Sequence, residues 1–270
     1  MLDIPMLGAG LGFREELSEE IYAAHDQIDF VEIIADQYTR PGADLSGLRR
    51  LVDTFTVIPH AVGLSIGTMG PVDMEYLAGA KRVSDTCGSP YFSDHLCMTK
   101  VPGIDLGHLA PLWFTEEVLA NTIEKVKVVQ DVLGKPLVLE NVTYVVDIPG
   151  DQLAQPEFFR RLTDATGCGV LLDVTNLYTN AVNHLFDADT FMAEMPLDHV
   201  VQVHLAGGFW RDGILIDGHS DPVPEEVWEL YAALCARADI KGALLEQDQN
   251  LTDIKPLLEQ VWRARKILNG

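Results

Sequence analysis

The sequence is poor in basic residues. Its 270 residues include 19 lysines and arginines against 41 aspartates and glutamates, which gives a formal net charge of −22. A surface of such negative charge repels the phosphate backbone of nucleic acids and the head groups of anionic lipids. We therefore expect neither a nucleic acid nor a membrane among the partners of this protein.

Cysteines and long apolar runs are also scarce. The four cysteines are widely separated and form no Cys-x-x-Cys pair, so we expect reduced thiols rather than a disulfide framework. No apolar run approaches the ~18 residues needed to span a bilayer. The N-terminus shows no basic region followed by an apolar core, so no signal peptide is evident. These absences predict a cytoplasmic protein.

A pattern that does recur is an apolar run that ends in His, Asp or Glu and is followed by a helical pattern. The clearest case is Leu-Val-Leu-Glu-Asn at residues 137–141, where a predicted buried strand ends in a carboxylate and an amide. Eight apolar runs are present, at residues 7–13, 30–36, 57–67, 91–98, 137–141, 169–176, 200–208 and 242–248, and all but the first carry His, Asp or Glu. The helices are predicted at 15–27, after 41, at 71–86, 115–133, 156–166, near 188, at 222–237 and at 252–268.

Eight strand–helix units indicate an all-parallel sheet that is covered by helices. Eight is also the number that closes a (β/α)8 TIM barrel of this length. Since no linker or low-complexity tract interrupts the pattern, we predict one TIM-barrel domain over residues 1–270.

A doubly wound sheet is the alternative architecture, and it would need a nucleotide-binding loop. The run Gly8-x-Gly10-x-Gly12 differs in spacing from the dinucleotide fingerprint. We interpret these glycines as part of a first strand that other backbone approaches closely.

The carboxyl ends of all strands of a TIM barrel meet on one face, where the active site lies. Polar residues stand at those ends on predicted strands three to eight, and more follow in the adjoining loops. A single strand-end histidine is more often a hydrogen-bonded core residue than a ligand, but the whole set indicates a metal centre. The predicted metal ligands are His60, His95, Glu140, Asp173, Asn176, His204, Asp217, His219 and Glu246.

Nitrogen and oxygen donors without thiolate suit iron, manganese or zinc. Nine donors exceed the needs of one ion, so we expect two or three ions, with a carboxylate as a bridge between neighbours. Three further residues of this face, Asn141, His184 and Asp248, are candidates for binding the substrate.

Several motifs place these residues in a recognisable order. They are His60-Ala-Val-Gly-Leu-Ser-Ile-Gly67, Ser93-Asp-His95, Leu139-Glu-Asn141, Leu172-Asp-Val-Thr-Asn-Leu-Tyr178, Gln202-Val-His-Leu-Ala-Gly207, Asp217-Gly-His219 and Leu245-Glu-Gln-Asp248. In these motifs the chain resembles the DUF692 family, the multinuclear non-haem iron-dependent oxidative enzymes (MNIO). Members of that family are xylose-isomerase-like TIM barrels that modify ribosomally made peptides. The resemblance runs from the second predicted strand to the eighth.

The resemblance implies two irons, or three, in mixed Fe(II)/Fe(III) states. One iron would be held by His60, His95 and Glu140. The second would be held by Asp173, His204 and Glu246, with Glu140 as the bridge. Asn176, Asp217 and His219 match positions that can hold a third ion.

The activity that the resemblance implies is the oxidation, with dioxygen, of a side chain of a precursor peptide, with cysteine as the expected target. The catalytic residues would be Glu140, His60, His95 and Asp173, and a partner protein would deliver the peptide. Two other classes stay open on the residues alone. One is a sugar isomerase or epimerase, or a phosphodiesterase-like hydrolase, that uses manganese or zinc, and the other is a metal-binding module without catalysis.

Three positions depart from the family pattern. Asp36-Gln37 stands where Glu-Asn is common, Ser220 replaces an aspartate, and Gln247 replaces an arginine. None of these changes removes a ligand of the central pair of ions; they concern the substrate and the third ion.

Overall fold

A computed structural model describes residues 2–101, 103–146 and 148–270 of the chain. Its centre is a closed barrel of eight parallel strands, in which each strand pairs with the next along the chain and the last pairs with the first. The barrel strands are β1 (Gly8–Gly12), β2 (Phe30–Ile34), β3 (Thr56–Ala61), β4 (Phe92–His95), β7 (Leu137–Glu140), β8 (Gly169–Asp173), β9 (Val200–Leu205) and β12 (Gly242–Leu245). The predicted TIM barrel is confirmed, whereas the assignment of residues 1–270 to one domain stays a prediction.

The helices follow the barrel strands along the chain. They are α1 (Ser18–Ala23), α2 (Ser46–Val52), α3 (Met74–Cys87), α4 (Glu116–Leu133), α5 (Gln155–Thr166), α6 (Val174–His184), α7 (Ala188–Glu194), α8 (Glu225–Cys235) and α9 (Lys255–Leu268). Asp73 and Thr115 cap the N-termini of α3 and α4 through their side chains, and Gly134 ends α4 in the left-handed conformation. Within the described residues, no helix has the length and apolar character needed to cross a membrane.

Two antiparallel hairpins, which the sequence pattern did not predict, lie on loops that follow barrel strands. The first pairs β5 (Met98–Val101) with β6 (Ile104–Ala110), and the second pairs β10 (Phe209–Arg211) with β11 (Ile214–Ile216). Their residues are mostly half-buried or exposed, so they show no apolar run of the kind that marks a barrel strand.

Some predicted boundaries differ from the structure. The third predicted strand ends at Ala61, and the predicted helix 15–27 is divided into α1 and two flanking 3₁₀ turns. Asp36 lies in a 3₁₀ turn, Ala35–Tyr38, and not in β2.

A layer of apolar side chains fills the lower part of the barrel. Phe30, Ile58, Tyr91, Val138, Leu171 and Leu244 form one cluster there and are each fully buried. Because side chains alternate along a strand, the residue two positions later faces the same side. His60 therefore faces the same side as Ile58, Glu140 the same side as Val138, and Asp173 the same side as Leu171. The polar centre therefore lies directly above an apolar floor.

Gly10 is a position at which β1 and β2 approach each other closely. A Cβ atom added to Gly10 would lie 2.6 Å from the carbonyl oxygen of Phe30. This contact agrees with the interpretation of the first strand as one that other backbone approaches.

We predict that Gly10→Ala lowers the free energy of unfolding by about 1–3 kcal/mol, because backbone must move to admit the methyl group. Gly47→Ala is the matched control, since Gly47 lies in α2 with open space around it. There alanine should raise stability by about 0.5–1 kcal/mol through its helix propensity. Urea unfolding of the two variants checks both signs, and a Gly10→Ala protein as stable as the parent would contradict the packing argument.

Candidate metal centre

Six barrel strands each bring one predicted ligand to the same end of the barrel. The strand register sets neighbours side by side: His95 lies opposite Glu140, and Asp173 lies opposite His204. The centre is withdrawn from solvent, since His60, His95, Glu140, Asp173 and His204 are all buried.

Two histidines and one carboxylate form the first group of converging atoms. Nε2 of His60 lies 3.2 Å from Oε2 of Glu140, and Nε2 of His95 lies 3.5 Å from the same oxygen. The two Nε2 atoms are 3.4 Å apart. Three donor atoms at this spacing can hold one ion.

Glu140 also belongs to a second group, together with Asp173 and His204. Nδ1 of His204 lies 3.7 Å from Oε2 of Glu140 and 3.2 Å from Oε2 of Glu246. One carboxylate thus takes part in both groups, which is the arrangement that a bridge between two ions requires. The assignment of these residues as ligands stays a prediction.

The third group differs from the predicted one in its carboxylates. His219 is brought together with Glu246 and Asp248, whose nearest oxygens lie 3.5 and 3.4 Å from its Nδ1. Asp217 contacts the opposite nitrogen, with Oδ1 2.8 Å from Nε2 of His219. Asp248, predicted to bind the substrate, therefore stands where a ligand of the third ion was expected.

The loop that carries His219 is held in a restricted conformation. His219 has a φ of 46°, in the left-handed region that non-glycine residues rarely adopt and that is found at functional sites. Its carbonyl oxygen accepts a hydrogen bond of 2.8 Å from the backbone N–H of Asp248. A Cβ atom on Gly207 would lie 1.9 Å from the carbonyl oxygen of Asp221, so glycine is needed where this loop meets the end of β9.

Each central histidine has a partner for the ring nitrogen that faces away from Glu140. Nδ1 of His60 lies 3.0 Å from Oγ of Ser93, and Nδ1 of His95 lies 3.0 Å from the carbonyl oxygen of Ala61. For His204 the outer nitrogen is Nε2, which lies 3.0 Å from Oε1 of Glu32. Such partners fix the ring orientation and tautomer of metal-binding histidines.

The partner of His204 is part of a buried chain of polar groups. The hydroxyl of Tyr91 donates to Oε1 of Gln202, and Nε2 of Gln202 donates to Oε2 of Glu32 at 2.6 Å. Sequence reasoning missed Glu32 as a site residue. The signal was present, because Glu32 lies two positions after Phe30 and alternation places both inside the barrel.

The two asparagines near Asp173 hold its position. The amide of Asn141 accepts from the N–H of Asp173 at 2.8 Å and donates to its carbonyl oxygen at 3.0 Å. The backbone N–H of Asn176 donates to Oδ1 of Asp173 at 2.7 Å, which caps α6. His184 lies at the end of α6, stacked on the ring of Tyr144. Substrate-binding roles for Asn141 and His184 stay predictions.

The positions that depart from the family pattern have local hydrogen-bond partners. Asp36 accepts hydrogen bonds of 2.8 Å from the N–H of Val62 and from the hydroxyl of Tyr76. Ser220 donates to the side chain of Asp221 at 2.6 Å, and the amide of Gln247 donates to the carbonyl oxygen of Gln249.

An arginine does reach the third group, but from the first strand. Arg14 donates from Nη2 to Oε1 of Glu246 at 3.0 Å and from Nε to Oδ1 of Asp248 at 2.7 Å. Sequence reasoning missed this residue. Its signal was an arginine just after a predicted strand in a chain with few basic residues.

Burial shifts the pKa values of the central groups. Burial holds the pKa of His60 well below its ordinary value and lowers the pKa of His95 to about 4, so both rings are neutral, as metal ligation requires. Burial raises the pKa of Glu140 well above its ordinary value and, with the charge of Asp217, raises the pKa of Asp173 to about 7. A cation beside these carboxyl groups would favour their ionised form.

The hydrogen-bond pattern fits a group of metal ions. Among the described residues, eight buried side-chain polar atoms have no hydrogen-bond partner, and six of them belong to predicted ligands. Those six are Glu140 Oε2, Asp173 Oδ2, Asn176 Oδ1, His204 Nδ1, Asp217 Oδ1 and His219 Nε2. Asp217 and His219 form an ion pair at 2.8 Å, and His204 Nδ1 lies 3.2 Å from Glu246, so the need for a cation is clearest for the three oxygens of Glu140, Asp173 and Asn176. An unpartnered buried polar atom costs about 1–3 kcal/mol, and coordination to a cation offsets that cost.

We predict that Glu32→Gln lowers the affinity of the second group for its ion by about 10–100-fold. The new amide can donate to Nε2 of His204, which moves the ring proton to Nδ1 and blocks the nitrogen that faces the carboxylates. Metal content after dialysis against a chelator series measures the effect, and Glu124→Gln on the exposed face of α4 is the control. Equal metal retention in both variants would show that Glu32 does not set the tautomer.

A closed parallel barrel with histidine and carboxylate groups at the carboxyl ends of its strands defines the class: a metal-binding TIM barrel. Comparison with solved structures agrees on the fold. The structure of D-psicose 3-epimerase in the presence of D-fructose aligns with a TM-score of 0.58 over 97% of this chain and 100% of that chain, at 12% identity.

Sequence comparison defines the family. The family model described as RiPP precursor modification enzyme MbnB/TglH/ChrH matches residues 8–269. UPF0276 proteins of Rhizorhabdus wittichii and Caulobacter vibrioides are 37% and 35% identical over 246 and 263 residues. These alignments cover 90% and 97% of this chain, and 87% and 94% of the relatives. The chain belongs to the MbnB/TglH/ChrH family of RiPP precursor modification enzymes, and the resemblance to the DUF692 (MNIO) family is confirmed.

Proposed function

We propose that this protein is a multinuclear non-haem iron enzyme that uses dioxygen to oxidise a side chain, a cysteine, of a ribosomally made precursor peptide. The observation that carries the proposal is the position of Glu140, which is shared by two groups of buried ligands in a chain of this family. The number of ions we propose is two, with a third in the group of His219.

The choice of iron rests on the first group. His60, His95 and Glu140 supply two imidazoles and one carboxylate, the set found in non-haem Fe(II) oxygenases. None of the four cysteines belongs to the three groups. Iron bound by these ligands supplies redox chemistry with dioxygen and a Lewis-acidic position for a substrate thiolate.

The residues around the predicted ligands orient these ligands and do not take part in the reaction themselves. Ser93, the Ala61 carbonyl and Glu32 keep one nitrogen of each histidine directed toward the carboxylates. Asn141 and Asn176 keep Asp173 in place. The apolar floor excludes water from below, so that a reacting side chain meets the centre only from the open face of the barrel.

The same face presents apolar side chains that suit a peptide and a protein that delivers it. Large hydrophobic residues are exposed on segments that follow barrel strands, and exposed apolar side chains are available for contact with a peptide or a protein. They are Ile104, Trp113, Val145, Val146, Leu185, Trp210 and Ile214. This distribution supports a peptide substrate and a delivery partner.

Metal content tests the centre. After anaerobic reconstitution with Fe(II), we expect at least two irons per chain, and Glu140→Gln should lower that number because both groups lose a shared ligand. Glu124→Gln, exposed on α4, is the control. Fewer than two irons in the parent would contradict the proposal, and an unchanged count in Glu140→Gln would contradict the bridge.

Peptide chemistry tests the reaction. Any short open reading frame beside the gene that encodes a cysteine-containing peptide is expressed together with this protein, with and without the other neighbouring genes, and the peptide is analysed by mass spectrometry. We expect a mass change that is confined to the cysteine fragment, requires dioxygen and disappears in a Cys→Ser precursor. Turnover of a sugar with manganese in the absence of dioxygen would instead favour an isomerase.

A further inference from the structure

Arg14 places a permanent positive charge inside the third group. It follows β1, and its side chain is only 12% exposed. It forms ion pairs with Glu246 and Asp248, two of the three members of that group. The ion pairs described for Glu140, in contrast, are all with histidines.

The two oxygens of each carboxylate have different partners. Arg14 binds Oε1 of Glu246 and Oδ1 of Asp248, whereas Oε2 and Oδ2 of the same residues face Nδ1 of His219. One oxygen of each carboxylate therefore stays directed at the place where an ion would be held. Arg14 does not cover those oxygens, but its charge lies on the far side of the same two carboxylates.

Two effects of opposite sign follow for an ion in this group. The guanidinium orients the carboxylates, and this favours binding through one or two hydrogen bonds. It also repels a divalent cation that shares both carboxylates with it at short range. Coulomb repulsion at such separations in a partly buried site exceeds the net contribution of a hydrogen bond, so the repulsion dominates.

We propose that Arg14 sets the number of metal ions: it is the resident cation of the third group and keeps that group a weak site, while the two groups that share Glu140 are strong. This inference rests on the metal centre of the proposed function. It gives a role to Arg14, which lies just after β1, in a chain that has Gln247 where the family pattern has an arginine.

The experiment is an anaerobic titration of the whole protein with Fe(II), followed by calorimetry and by metal analysis after gel filtration. Arg14→Gln removes the charge and keeps a hydrogen-bond donor, and we expect the weakest ion to bind about tenfold more tightly or better. Arg14→Lys keeps the charge and should leave the weakest ion close to its parental affinity.

Arg265→Gln is the matched control. Arg265 donates to Asp29 at 2.8 Å and to the carbonyl oxygen of Gln27, and so forms an ion pair near the start of β1, at the end of the barrel opposite the metal groups. Removing it should leave the binding of every ion unchanged. Thermal unfolding of all variants shows that each one is folded before titration.

The outcomes separate this inference from the proposed function. A weakest ion that binds Arg14→Gln no more tightly than the parent, or no third ion in either protein at saturation, would overturn the role of Arg14. A parent that holds fewer than two ions contradicts the proposed function, and Arg14→Gln then still decides the inference, because it either gains an ion or does not.

Discussion

The structure depends on the burial of carboxylates at the open end of the barrel. A buried carboxylate without a cation is costly, and Glu140 and Asp173 are both almost fully withdrawn from water. Asp173 accepts a hydrogen bond through Oδ1 from the N–H of Asn176, but Oδ2 of Asp173 and Oε2 of Glu140 have no hydrogen-bond partner among the described residues and are available to a cation. Burial lowers the pKa values of His60 and His95, which face Glu140, so these two rings are neutral and can act as metal ligands. The fold and the predicted ligands together thus provide a place for a cation beside the buried carboxylates.

The barrel meets this requirement through alternation and register. A fully buried apolar layer below the centre contributes about 1.5–3 kcal/mol for each large side chain, which offsets the cost of the polar layer above it. Parallel pairing then aligns the strand ends, so that ligands from separate strands converge without long loops. The outer partners complete the arrangement, because a histidine held at one nitrogen presents the other in a fixed direction.

The sequence was informative where a one-dimensional pattern encodes the structure. Apolar runs that end in polar residues predicted the strands, and the convergence of strand ends in a barrel predicted that His60, His95, Glu140, Asp173 and His204 would lie together. Glu32 and Arg14 were missed because their partners are more than 150 residues away and become neighbours only through barrel closure. The position of Asp248 beside His219 depends on the backbone of His219, whose left-handed conformation no local pattern indicates. The two hairpins were not predicted because short, exposed strands show no regular alternation of apolar and polar residues.

The place of β12 has a consequence for how the protein is made. Chains are synthesised from the N-terminus, and β12 is the last strand, yet it lies between β1 and β9. His60, His95 and Glu140 leave the ribosome long before the strand that closes the ring and brings Glu246 into position. The group of His219 therefore forms last, whereas the residues of the two groups that share Glu140 all precede β12 in the chain. The third group is in this sense a late product of biosynthesis, because a chain that stops before β12 lacks both Glu246 and Asp248.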